Sequence, residues 1–175
     1  MKRILVLTVF SLCFMAFSVP KKIAKKADKV IAKFYETDDF TKKPIVISEE
    51  ANQDTPSHFG TDNFFVIESE GNFLGYGYIG NAPSKTATYD YLVLFDKDFI
   101  VAKSKVLIYR EEYGGEIGSK RWLKQFNGKP AGHSELKYEK DIIPISGATI
   151  SVRSMTKAMN DLLKSLGTLQ ELNAL

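Results

Sequence analysis

Between Phe64 and Tyr109 the chain abandons helical spacing, and that change limits the possible folds more than any other feature. Phe64 to Glu68, Phe73 to Gly80, Tyr89 to Phe95 and Ile100 to Tyr109 are aromatic and β-branched runs. Turn-forming segments separate them: Glu70-Gly71-Asn72, Asn81-Ala82-Pro83-Ser84 and Asp96-Lys97-Asp98. Short runs joined this tightly predict an antiparallel sheet of about four strands. Helical periodicity lies on either side. Ile23, Ala27, Val30, Ile31 and Phe34 predict an amphipathic helix over 21–36 with a lysine-rich outer face. Trp122 and Phe126, at i and i+4, predict a helix over 116–126 that Gly128 and Pro130 close. Val152, Met155, Met159, Leu162 and Leu163 predict a last helix over 151–166. The polar stretch 37–62 predicts one short strand, at 45–47. The class is α+β, and 175 residues leave room for one domain with a proper core. Three parts are expected: a signal peptide or membrane anchor over 1–18, a helix with a polar connector over 19–59, and the folded domain over 60–175.

Charge is sorted along the chain. Lys21, Lys22, Lys25, Lys26, Lys29 and Lys33 face only Asp28 nearby, whereas residues 34–175 hold 16 basic and 20 acidic residues. A nucleic-acid binder would carry its positive excess on the folded part, so that class is disfavoured. The N-terminal lysines instead fit contact with anionic lipid heads at a membrane surface, or simply a solvated helix face. Before them, Lys2 and Arg3 precede the apolar run from Ile4 to Val19, with small residues at Ala16 and Ser18. This is the pattern of a secretory signal cut after Ser18, and at 16 residues the run is short for a membrane span of about 20. An uncleaved anchor is the alternative. Both place the body outside the cytoplasm, in the periplasm or on the outer face of the cytoplasmic membrane. The single cysteine, Cys13, lies in that run and follows Leu12, so no lipobox is formed. A cleaved chain would have no disulfide, thiolate metal site or Cys nucleophile.

Several motifs lack the context their chemistry needs. Gly75 to Gly80, GYGYIG, matches a dinucleotide fingerprint, but Asn81-Ala82-Pro83 and another strand follow where a helix must begin. Strand alternation puts Tyr76 and Tyr78 on one face, and Gly75 and Gly77 leave space on the other for backbone or a flat ring. SMTK, Ser154 to Lys157, resembles the SxxK of serine acyl enzymes without its companion motifs. His58 and His133 lie in polar stretches without ligand spacing, so no metal site is expected. No residue is assigned a catalytic role.

Ser146-Gly147-Ala148-Thr149 stands directly before the last helix. Gly147 permits a close backbone approach, Ser146 and Ala148 keep the surroundings small, and Thr149 offers a hydroxyl at the helix mouth. Helix N-termini stabilise phosphate, and Arg153, one turn on, adds a charge. That geometry suits a phosphate ester on Thr149 and equally an ordinary N-cap.

SGATIS running into a helix resembles the flavin-attachment motif of the FMN-binding domain family, which includes subunits of Na+-pumping NADH:quinone reductases and Rnf-type complexes. Glu111 to Gly118, EEYGGEIG, resembles more loosely the acidic, glycine-containing segment before that family's helix. The resemblance spans most of residues 60–166. It implies FMN joined covalently, through its phosphate, to Thr149 by a flavin transferase outside the cytoplasm. It further implies an electron carrier working between donor and acceptor proteins of a membrane redox complex, not a stand-alone enzyme. The strand face bearing Tyr76 and Tyr78 is then expected near the flavin ring. The family often has Asp three residues before the motif's Ser; here Ile143 stands there. The rival reading is a non-redox envelope binding protein in which SGAT is only a helix cap.

Overall fold

The four aromatic runs pair in sequence order, and a fifth strand joins them at the edge. A computed structural model describes residues 18–175; the expected signal or anchor, apart from Ser18, lies outside them. Helix α1 is Lys21–Tyr35, followed by β1 at Thr41–Pro44 and a short α2 at Glu49–Gln53. Strands β2 (Phe64–Ser69), β3 (Asn72–Pro83), β4 (Thr88–Phe95) and β5 (Val101–Ile108) come next. A 3-10 turn at Gly115–Gly118, α3 at Lys120–Leu123, a second 3-10 turn at Lys124–Phe126, and the long α4 at Thr149–Glu171 complete the order. The sheet is an antiparallel meander, β1-β2-β3-β4-β5. The class is α+β. No described helix is long and apolar enough to cross a membrane.

The sheet is buried on both faces. Ile23, Ala27 and Ile31 of α1 pack with Phe65, Ile67, Leu92 and Leu94 on one side. Met155, Met159, Leu162 and Leu166 of α4 pack with Tyr89, Tyr91, Val93 and Phe95 on the other. Successive residues of β4 therefore serve opposite cores, which is why its sequence reads as one continuous apolar run.

Three elements differ from expectation. The short strand lies at Thr41–Pro44, ahead of 45–47, and only the Ile45 N–H continues the pairing, to the Phe64 carbonyl at 2.9 Å. Its lysines suit an edge strand, where charge discourages further pairing. The expected helix over 116–126 is broken, because Ser119 ends the first 3-10 turn and caps α3, accepting from the Trp122 N–H. Helix α4 begins two residues earlier and ends five residues later than its expected 151–166. Helix α1 and strand β1, from the expected connector region, belong to the sheet's packing.

Candidate functional site

Ala148, not Thr149, is the N-cap of α4, with φ −124° and ψ 19°, and no side chain caps this helix. The cap reading of Thr149 is thereby corrected: the threonine is the first helical residue, with its side chain exposed. The first intrahelical bond is Val152 N–H to the Ala148 carbonyl at 2.9 Å. The N–H groups of Thr149, Ile150 and Ser151 precede that ladder, as the orphan donors of a helix start do. A phosphate fits this place on charge and on donors.

The four motif residues divide by role. Ser146, Gly147 and Thr149 are exposed, and Gly147 turns the chain with φ +77° into open space. Ala148 faces inward, only 4% exposed, against Gly114 of the strand-to-helix connection. A Cβ on Gly114 would stand 2.9 Å from the Ala148 Cβ and 3.0 Å from the Tyr109 hydroxyl, and Gly114 itself has φ +80°. EEYGGEIG is thus seated directly on the SGAT turn.

Hydroxyls fix the first turn of α4 to the sheet. Tyr109 Oη and Ser151 Oγ are 2.9 Å apart. Tyr89 Oη lies 2.8 Å from Ser154 Oγ and 3.1 Å from the Ser151 carbonyl, while Ser154 Oγ donates to the Pro83 carbonyl at 2.5 Å. Burial pushes the Tyr89 hydroxyl well above the ordinary tyrosine value, so it remains a donor near neutral pH. Glu111 holds the adjoining β3–β4 turn. Its carboxylate accepts from Ser84 Oγ at 2.6 Å, from Thr86 N–H at 2.7 Å and Oγ1 at 2.8 Å, and from Ala87 N–H at 3.1 Å. These bonds, Ser84 first, lower its pKa to about 2.

Arg153 is one turn beyond Thr149, with its guanidinium 4.7 Å from the centre of the Tyr138 ring. Tyr76 and Tyr78 are not brought to the SGAT turn. Tyr76 stacks on Phe99 at 4.2 Å, and Tyr78 packs against Phe59 while donating to the His58 carbonyl at 3.2 Å. Tyr78 shares its surroundings with Asp161, a rise of about 18 Å along α4 from Thr149. The glycine face of that strand is filled: a Cβ on Gly75 would collide with the Tyr35 hydroxyl and the Phe95 carbonyl, and one on Gly77 with the Phe65 ring. GYGYIG lies wholly within β3. Ser154 and Lys157 are engaged apart from each other, Lys157 with Asp161 at 2.5 Å, so the geometry of an SxxK base and nucleophile is not present.

Sequence reasoning passed over three large apolar side chains, close to the motif and to Gly114 in sequence, that are exposed. Tyr113 is 79% exposed, Ile143 68% and Ile150 51%. Ile150 follows Thr149, Tyr113 precedes Gly114, and Ile143 begins the approach to SGAT. The Ile143 backbone is held by Gln125 Oε1 at 2.7 Å and by Trp122 Nε1 at 2.8 Å, so its side chain is not needed for packing. The available signal was three large apolar residues in segments already singled out for their glycines.

Fold and site thus define an α+β domain that presents an exposed threonine hydroxyl and orphan helix donors at the start of α4. Residues 85–164 match the model of the FMN-binding domain family, the family that SGAT resembles. No curated protein matches. The crystal structure of Shewanella oneidensis NqrC is similar with 16% identity and a TM-score of 0.51, over 77% of this chain and 70% of that one. The crystal structure of a Na(+)-translocating NADH-quinone reductase component from Parabacteroides distasonis has 17% identity and a TM-score of 0.45, over 62% of this chain. The chain covers 60% of the latter's length. The likeness to the Shewanella oneidensis structure speaks to the fold.

Proposed function

We propose that the protein is an extracytoplasmic electron carrier whose FMN is joined by a phosphoester to Thr149 Oγ1. The carrying observation is that Thr149 is the exposed first residue of α4, uncapped, within a domain of FMN-binding type. When bound, FMN supplies the redox chemistry. The chain's own groups do the rest. The N–H groups of the first turn of α4 would hold the phosphate, and Ala148 on Gly114 fixes where that turn sits. Tyr89 and Tyr109 hold its serines to the sheet. Tyr113, Ile143 and Ile150 offer an apolar surface on which the ring can lie. Tyr76 and Tyr78, in this reading, are core residues at the far end of the strand.

Attachment would be made by a flavin transferase outside the cytoplasm, and donor and acceptor would belong to a membrane redox complex of the kind named for the similar structures. Export is supported by the N-terminal pattern and by the setting of Val19. Its nitrogen donates to both oxygens of Asp62, at 2.9 and 3.0 Å. A cut after Ser18 would turn that donor into an ammonium already facing a carboxylate. Retention of flavin by the unfolded chain, and its loss in Thr149→Val, tests the proposal.

A further inference from the structure

A groove of about 520 Å³ opens between α1, β5 and α3, away from the SGAT turn. Six of its lining residues are lysines: Lys29 and Lys33 from α1, Lys103 and Lys105 from β5, and Lys120 and Lys124 from α3 and the 3-10 turn that follows it. No carboxylate lines it, and among the described residues none of the six forms an ion pair. Val30, Phe34 and Leu123 supply an apolar floor.

Composition does not account for this. From residue 34 onward acids outnumber bases, 20 to 16, yet the fold draws four of those bases to one groove with no acid among them. Gathering like charges destabilises the native state unless a counter-ion relieves it. The strain registers on Lys103, whose ammonium lies 5.3 Å from the centre of the Phe34 ring. Its pKa is lowered, first by burial and then by Lys120, Lys105 and Lys33.

We propose that the groove binds an organic phosphate with an apolar portion. The anionic group would sit among the ammonium groups, and the apolar portion would lie on Val30, Phe34 and Leu123. Two features favour a small phosphate compound. Ammonium groups are compact point charges that neutralise phosphate well, and the volume is that of a small-ligand site, about 300–1,000 Å³. The same chemistry comes from two sources, the headgroup of an anionic phospholipid or a soluble phosphate ester. The proposal does not depend on the flavin site, and its test leaves that site unread.

The test is lysine acetylation of the full chain in non-ionic detergent, with rates followed residue by residue by mass spectrometry. Dihexanoylphosphatidylglycerol should slow labelling of Lys103, Lys120 and Lys124 about threefold or more relative to exposed Lys137 and Lys140, and dihexanoylphosphatidylcholine should not. Protection by glycerol phosphate at the same concentration assigns the site to soluble phosphate esters; protection by the lipid alone assigns it to a headgroup. In Lys120→Gln/Lys124→Gln, with an unchanged far-UV spectrum, protection of Lys103 should be lost. No protection by any phosphate probe overturns the proposal. So does equal protection by hexaglutamate, which would make the groove a general attractor of acidic protein segments.

Discussion

Ala148 and Gly114 fit together because neither carries a side chain beyond a methyl group, and that contact fixes where Thr149 stands. Gly114→Ala should cost about 1–3 kcal/mol in urea unfolding, from a left-handed φ combined with overpacking. It should also lower the flavin content of the purified protein. A cost near zero with full flavin content would mean that the turn does not need this contact. Tyr113 and Ile150 make the opposite forecast. Both are exposed, so Tyr113→Ala and Ile150→Ser should change stability by no more than about 0.5 kcal/mol. Each should nevertheless alter flavin fluorescence. Unchanged emission in both variants would place the ring elsewhere. Thr149 was legible as a residue, because a small motif before a helix announces itself. Its freedom from capping was not, since that depends on the φ and ψ of Ala148. The tyrosines beside the site were not legible either. Tyr89 and Tyr109 read as sheet residues, and only the fold brings their hydroxyls to Ser151 and Ser154.

At the scale of elements, periodicity found what packing dictates and missed what hydrogen bonds dictate. Strands β2 to β5 and the two long helices bury apolar rows, so their sequences show them. The first turn of α4 has no apolar row; Ser151 is buried there through its contact with Tyr109, and the helix start was placed late. Helix α2 is five residues long, too short for a period, and its only signal is Ser48 accepting from the Ala51 N–H ahead of two acids. The β3–β4 turn is likewise held by a side chain, Glu111, and yields a pH forecast. Its folded pKa is about 2, below the ordinary 4.5. The stabilisation it brings is therefore complete above about pH 4.5 and lost as pH falls towards 2. Glu111→Gln should flatten the pH dependence of the melting temperature across that window. A wild-type slope that survives the substitution would assign the acid sensitivity to other carboxylates.

The whole molecule carries two proposed sites, one for flavin at the start of α4 and a basic groove between α1, β5 and α3. Charge sorting in the sequence hinted at the groove, but its β5 and α3 lysines come together only on folding. Export is the claim to check first at this scale. N-terminal sequencing of the protein recovered from outside the cytoplasm should begin at Val19, the residue whose nitrogen faces Asp62. A start at Met1 would favour an anchor, and recovery only from the cytoplasm would remove the export reading. The central claim has a more direct test. Protein made together with a flavin transferase should be unfolded in guanidinium chloride and separated from small molecules, and its absorbance and intact mass recorded. The account predicts that flavin stays with the unfolded wild-type chain, that Thr149→Val folds but retains none, and that Thr149→Ser retains some. Flavin that leaves in denaturant, or that remains on Thr149→Val, would contradict it.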